Sequence, residues 1–159
     1  MFRVYVNEDV CIGCHLCEVY CQLQHSQSQD LVKAFKRELP RTLPRLRVEG
    51  KGVVSLSVHC QQCDEAPCVQ ACITGALTYD HVRGVVEVDE ARCAGCWTCL
   101  LVCPLGAIRQ DTIRGKMLKC DLCQGEEIPA CVANCPNEAL TLSNDDGLAQ
   151  VTTKSGKRR

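Results

Sequence analysis

Residues 93–104 read Cys-Ala-Gly-Cys-Trp-Thr-Cys-Leu-Leu-Val-Cys-Pro. The close spacing lets a tight loop aim Cys93, Cys96 and Cys99 at one point. Cys103, on the following helical turn, points elsewhere. The rest of the chain builds around this run or copies it. Cys11, Cys14, Cys17 and Cys21 repeat its spacing, with Gln22 where the proline would stand. Cys60, Cys63, Cys68 and Cys72 form a variant with four residues between the second and third cysteines. Cys120, Cys123, Cys131 and Cys135 widen that gap to seven and end on Pro136. Each half of the chain therefore carries one compact and one looser set, an internal repeat. Gly75-Ala76-Leu77, Gly106-Ala107-Ile108 and Glu138-Ala139-Leu140 follow Cys72, Cys103 and Cys135, and each is expected to lead into a strand.

Sixteen cysteines in four sets of four leave none over. The 93–104 spacing is that of an iron–sulfur run in which three thiolates hold one cluster and the fourth reaches its neighbour. The reading is therefore four [4Fe-4S] clusters with ligands exchanged crosswise. In a central pair, Cys60, Cys63, Cys68 and Cys103 hold one cluster, and Cys72, Cys93, Cys96 and Cys99 hold the next. In an outer pair, Cys11, Cys14, Cys17 and Cys135 hold one, and Cys21, Cys120, Cys123 and Cys131 the other. Zinc also takes four thiolates from separated C-x2-C pairs. It leaves unexplained the third cysteine at x2 and the fourth at x3 before proline. Disulfides fit poorly, since C-x2-C loops are weak staples. His15, His25, His59 and His81 are not needed as ligands. Trp97, inside a cysteine loop, is expected to pack over its cluster and exclude water. Lys119 lies next to Cys120 and is placed to offset local negative charge. No catalytic residues are identified: no phosphate loop, Ser/His/Asp set or carboxylate pair appears, and no flavin, nicotinamide or pterin motif.

The 159 residues include only two Phe and one Trp, so the apolar core must be thin and in need of staples. Residues 1–9 carry no apolar stretch and no twin arginine, so no export signal is expected and the cytoplasm is the expected compartment. The longest apolar run, 99–108, is too short and interrupted to span a bilayer, so no membrane insertion is expected. The formal charge of −1 gives no reason to expect nucleic-acid binding. Bound as thiolates to four dicationic clusters, the cysteines would bring the charge to about −9.

Strands are expected at 2–6 and 53–58, and hairpins over 76–80 with 84–89, 107–111 with 116–119, and 139–142 with 148–152. Residues 22–51 contain no cysteine. Leu31, Val32, Ala34, Phe35 and Leu39 predict a helix capped by Asp30, ended by Pro40 and Pro44. Lys33, Lys36, Arg37, Arg41, Arg45, Arg47 and Lys51 make this segment basic, either as a solvated connector over the clusters or as a docking surface. The fold class is α+β, with tandem, nested dicluster ferredoxin folds in one unit of 1–159. Its parts are an outer module (1–21 with 104–143), the connector 22–51, an inner module (52–103) and a basic tail (154–159).

The four sets resemble those of four-cluster ferredoxin-like electron-transfer subunits. These accompany molybdenum and tungsten oxidoreductases, formate hydrogenlyase and carbon monoxide dehydrogenase. The likeness covers roughly residues 2–142. Cys11 to Cys21 followed by Gln24-His25-Ser26 is similar to the small subunits associated with carbon monoxide dehydrogenase and tungsten aldehyde oxidoreductases. The resemblance implies the same nested pairing and a non-catalytic subunit. It would relay electrons between a catalytic oxidoreductase subunit and a flavin-containing subunit or soluble ferredoxin. Self-stacking is a further expectation for a thin body with sites near both ends; a free-standing polyferredoxin and a zinc-stapled interaction module are the alternatives.

Overall fold

The structure is a computed structural model, and it describes residues 2–144 and 150–151. Short antiparallel strands alternate with helices of one or two turns, an α+β arrangement. The expected first strand forms as β1 (Phe2–Val6), and the first compact run leads into α1 (Leu16–Gln24). Helix α2 (Leu31–Lys36) begins at Asp30, whose side chain accepts from the Lys33 N–H at 2.9 Å.

The cysteine-free segment is less of a plain connector than its composition suggests. It starts inside α1 and ends as β2 (Arg47–Lys51), which pairs with β3 (Val54–Val58). Gly50 and the charged residues around it hide the strand pattern in β2. Between α2 and β2, Thr42 and Leu46 are buried. Arg41 donates to the Phe35 carbonyl, Arg45 pairs with Asp121, and Arg47 pairs with Glu49, so these three cations have partners within the chain.

Helix α3 (Pro67–Gln70) follows the first looser C-x2-C. The first two expected hairpins form as β4 (Leu77–Asp80) with β5 (Val85–Val88), and β6 (Arg109–Asp111) with β7 (Lys116–Leu118). Helix α4 (Thr98–Val102) lies between them, and α5 (Ala130–Ala133) comes from the last cysteine set. Strand β8 (Leu140–Asn144) pairs with β9 (Gln150–Val151), as expected, although the turn at 145–149 lies outside the described residues, as does the tail 154–159.

Strand β8 has a second partner that spacing did not announce. It runs antiparallel to β1 from Phe2↔Asn144 to Val6↔Leu140. This pairing carries residues from the two ends of the described chain into one core. Val4, Leu46, Ile128, Val132, Leu140 and Leu142 pack there with Cys17, Cys21 and Cys131. A second core holds Ala66, Leu77, Val86, Ile108 and Met117 with Cys68 and Cys99. Thiols are thus members of both cores, which accounts for how so few large apolar residues suffice.

The repeat also appears in the backbone. His15 and Trp97, at matching positions of the compact runs, both take left-handed conformations, with φ of 60° and 64°. Gln62 and Leu122 do the same in the looser runs, at 48° and 56°. Gly95, at φ +67°, approaches the Gly115 carbonyl so closely that an added Cβ would lie under 3.0 Å from it. Only glycine fits there.

Candidate four-thiol sites

The structure gathers the cysteines across the runs rather than within them. Cys11, Cys14 and Cys17 share a cavity with Cys135 and Pro136. Cys60, Cys63 and Cys68 share one with Cys103 and Pro104. Cys93, Cys96 and Cys99 share one with Cys72. The three cavities are closely similar in size and are lined mainly by cysteine and apolar side chains. Cys21, Cys123 and Cys131 are buried where α1 packs on α5. A negative charge on Cys21 opposes ionisation of Cys120, Cys123 and Cys131, so these four also lie close together.

The backbone aims hydrogens at sulfur in several of these places. The Gln62 N–H donates to Cys60 Sγ and the Leu122 N–H to Cys120 Sγ, both at 3.4 Å. These are the left-handed positions of the two looser loops, so each turn points its amide at its own first cysteine. The Ala107 N–H donates to Cys103 Sγ at 3.4 Å, and the Arg45 N–H to Cys21 Sγ at 3.3 Å. The Thr98 hydroxyl donates to Cys96 Sγ at 3.5 Å. A donated hydrogen favours thiolate over thiol.

Burial works against ionisation. It pushes the thiols of Cys17, Cys99 and Cys123 up to about 11, and drives Cys120 and Cys131 higher. The Thr98 hydrogen bond lowers exposed Cys96. Such buried thiols are poor nucleophiles at neutral pH, because the reactive form is the thiolate. A bound metal reverses this by deprotonating them outright. Four soft donors per cavity, together with amides directed at sulfur, fit an iron–sulfur cluster.

Trp97 lines the cavity of Cys72, Cys93, Cys96 and Cys99 and packs against the second core. The histidines have other partners. His15 meets Glu18 at 3.0 Å, His59 is buried against the Val4 carbonyl, and His81 packs edge-on against Tyr79 at 4.9 Å. His25 Nε2 lies 3.0 Å from Asp121, whose other oxygen is 2.5 Å from Arg45. Burial opposes a charge on His25, but its hydrogen bonds to Asp121 and Cys21 outweigh this and hold its pKa near 9. The same two cations hold the Asp121 carboxyl well below the usual range against the effect of burial. His25, Asp121 and Cys123 offer donor atoms within 4.8 Å of one another, but the carboxylate is already committed to two cations.

Sequence reading missed this His25–Asp121–Arg45 network, whose members are up to 96 residues apart and follow no motif. It also gave no sign that Lys119 would be buried. Burial raises the Cys68 and Cys120 thiols, and the positive charge of Lys119 acts on both in the opposite direction.

Recurring cysteine cavities, amides aimed at sulfur and short hairpins between them define a ferredoxin-like iron–sulfur protein. Comparison with known proteins makes this specific: the chain belongs to the 4Fe-4S dicluster domain family, which matches residues 53–145. It is 37% identical to an iron–sulfur protein of Rhodospirillum rubrum, over 90% of this chain and 82% of that protein. It is 38% identical to the electron transport protein HydN of Escherichia coli K12, over 98% and 95% of the two. With formate hydrogenlyase subunit 2 of the same organism it shares 31% identity over 95% and 86%. The chain is accordingly an iron–sulfur electron-transfer protein of the 4Fe-4S kind. Among the described residues, no helix is long and apolar enough to cross a membrane.

Proposed function

We propose that the chain is a non-catalytic electron-transfer subunit whose sixteen cysteines hold four [4Fe-4S] clusters in the crosswise sets described above. The gathering of thiols by fours, each from two different runs, is the observation that carries this reading. When bound, a cluster of this kind takes up or releases one electron at a time. The protein's part is to hold it dry, to donate hydrogens to its sulfurs and to fix the order in space.

Two sites come to the surface, at Cys14 and Cys96, which occupy the same place in the two compact runs and are both exposed. They are the natural doors for electrons, one in each core. The basic segment 22–51 covers the outer door's core through Leu46 and Arg45. The partner at one door is a catalytic oxidoreductase subunit, with tungsten aldehyde oxidoreductase or carbon monoxide dehydrogenase as the classes favoured by the resemblance at 11–26. The partner at the other is a flavin-containing subunit or a soluble ferredoxin. The 31% identity to a hydrogenlyase subunit supports a place in such an assembly.

Anaerobic assay of the purified chain for iron and acid-labile sulfide tests the cluster count. About sixteen of each per chain is expected. About eight of each would reduce the protein to two clusters, and zinc without sulfide would end the reading. Native copurification identifies the partners, and a chain that travels alone would leave a free polyferredoxin.

A further inference from the structure

Lys119 is only 2% exposed, and its ammonium donates to three oxygens: Gln62 Oε1 at 2.8 Å, the Val86 carbonyl at 3.0 Å and the Cys120 carbonyl at 2.9 Å. All three donors are used, and none of these acceptors carries a charge. A full positive charge buried among neutral dipoles is unfavourable unless an anion lies near. Gln62 is fully buried and completes the arrangement. Its Oε1 also accepts from the Val86 N–H at 2.9 Å, its Nε2 donates to the Cys120 carbonyl at 2.8 Å, and its own N–H donates to Cys60 Sγ. Gln62 belongs to the Cys60–Cys63 loop, Val86 to β5 and Lys119 to the lead into Cys120. The pair therefore clasps the Cys60–Cys63 loop to the lead into Cys120.

We infer that Lys119, held by Gln62, is the buried cation of an electron junction: it raises the reduction potential of the clusters held by the Cys60 and Cys120 sets relative to those behind the exposed Cys14 and Cys96. This rests on the four-cluster reading above. A cluster gains one negative charge on reduction, so a fixed positive charge nearby favours the reduced form. The effect is local, because Lys119 donates to the Cys120 carbonyl of one set and to Gln62, whose N–H donates to Cys60 Sγ of the other. An electron entering at either surface site then finds the interior sites lower in energy, and they hold it until the second partner takes it. Lys119 is a positioning and tuning residue and touches no substrate.

The test uses the full chain, purified anaerobically and titrated with dithionite while each cluster's electron paramagnetic resonance signal is followed. Lys119→Met removes the charge while keeping length and apolar stem. Gln62→Glu keeps the lysine and offsets its charge. Both are expected to disfavour reduction of two clusters, those of the Cys60 and Cys120 sets, at least tenfold, about 59 mV lower for a one-electron couple. The remaining clusters should titrate as before. Lys119→Arg, which keeps the charge, should stay close to the parent protein. Wild-type potentials in either neutralising variant, at wild-type iron content, would overturn the inference and leave the four-cluster reading intact. An equal shift of every cluster would also overturn it, because a general loosening of the structure acts in that way. Should Lys119→Met fail to assemble, Gln62→Glu decides alone. Absence of iron and sulfide from the parent chain would remove the four-cluster reading, and this inference with it.

Discussion

Gly95 and Gly115 offer a paired perturbation whose two costs can be separated. Both have left-handed backbones, at φ +67° and +64°. An alanine in either position carries the conformational penalty of an L residue in that region, about 1–2 kcal/mol. The space around them differs. A Cβ on Gly115 meets nothing within 4 Å, whereas one on Gly95 runs into the Gly115 carbonyl oxygen. Backbone cannot swing aside as a long side chain can, so Gly95→Ala carries a further overpacking cost of about 1–3 kcal/mol. Relief requires the Cys93–Cys96 loop to lift off the β6–β7 turn, against the hydrogen bond from Lys116 Nζ to the Cys93 carbonyl at 2.6 Å. For a chain of this length each kcal/mol moves the thermal midpoint by about 2–4 °C. Gly95→Ala is therefore expected to unfold about 10 °C below the parent and Gly115→Ala about 4 °C below it. Anaerobic thermal scans of the loaded protein measure both. Alkylation followed by mass spectrometry should show Cys93 and Cys96 losing protection in the first variant alone. Equal midpoints for the two variants, or a greater loss at Gly115, would refute the steric argument.

Cys103→Ser should expose Cys60, Cys63 and Cys68 to alkylation while Cys93, Cys96 and Cys99 stay protected; the opposite pattern would dissolve the crosswise sets. Leu46→Ala, at a side chain 2% exposed in the outer core, should cost about 2–5 kcal/mol in denaturant unfolding. A loss under about 0.5 kcal/mol there would return segment 22–51 to the status of a solvated tether. His25 has a folded pKa of about 9 against an ordinary 6.5. A raised value contributes stability that is complete below pH 6.5 and disappears as pH climbs through 9. Asp121 is shifted downward, so its contribution is lost only in acid and does not interfere in this window. The midpoint difference between the parent and His25→Gln should accordingly be largest near pH 6 and shrink toward pH 9; a constant difference would show that the imidazole is not charged in the folded state.

Thiol spacing carried most of the information available in the sequence. Tight loops are local objects, so C-x2-C-x2-C announced its turn, its following helix and its repeat. The Gly-Ala-Leu style of exit announced each strand, and in the structure Gly75, Gly106 and Glu138 all take positive φ there. Asp30 marked the start of α2 for the same reason, since a cap interacts only three residues away. Contacts between distant segments left no such trace. Strand β2 contains Glu49, Gly50 and Lys51, and it is held as a strand by β3 rather than by its own composition. The β1–β8 pairing and the Lys119 clasp join residues far apart in the chain, and either partner alone looks unremarkable. Cysteine membership of each cavity was legible because the crosswise rule supplies what spacing lacks.

Because β1 finds its mate only at Leu140–Asn144, the order of synthesis and the order of completion run differently. On the ribosome, β1 waits, unzipped, while the residues between it and β8 emerge. The interior hairpins, whose halves are only a few residues apart, close long before. The interior hairpins are therefore expected to close before the β1–β8 pair, and a chain truncated before residue 140 leaves β1 without its partner strand.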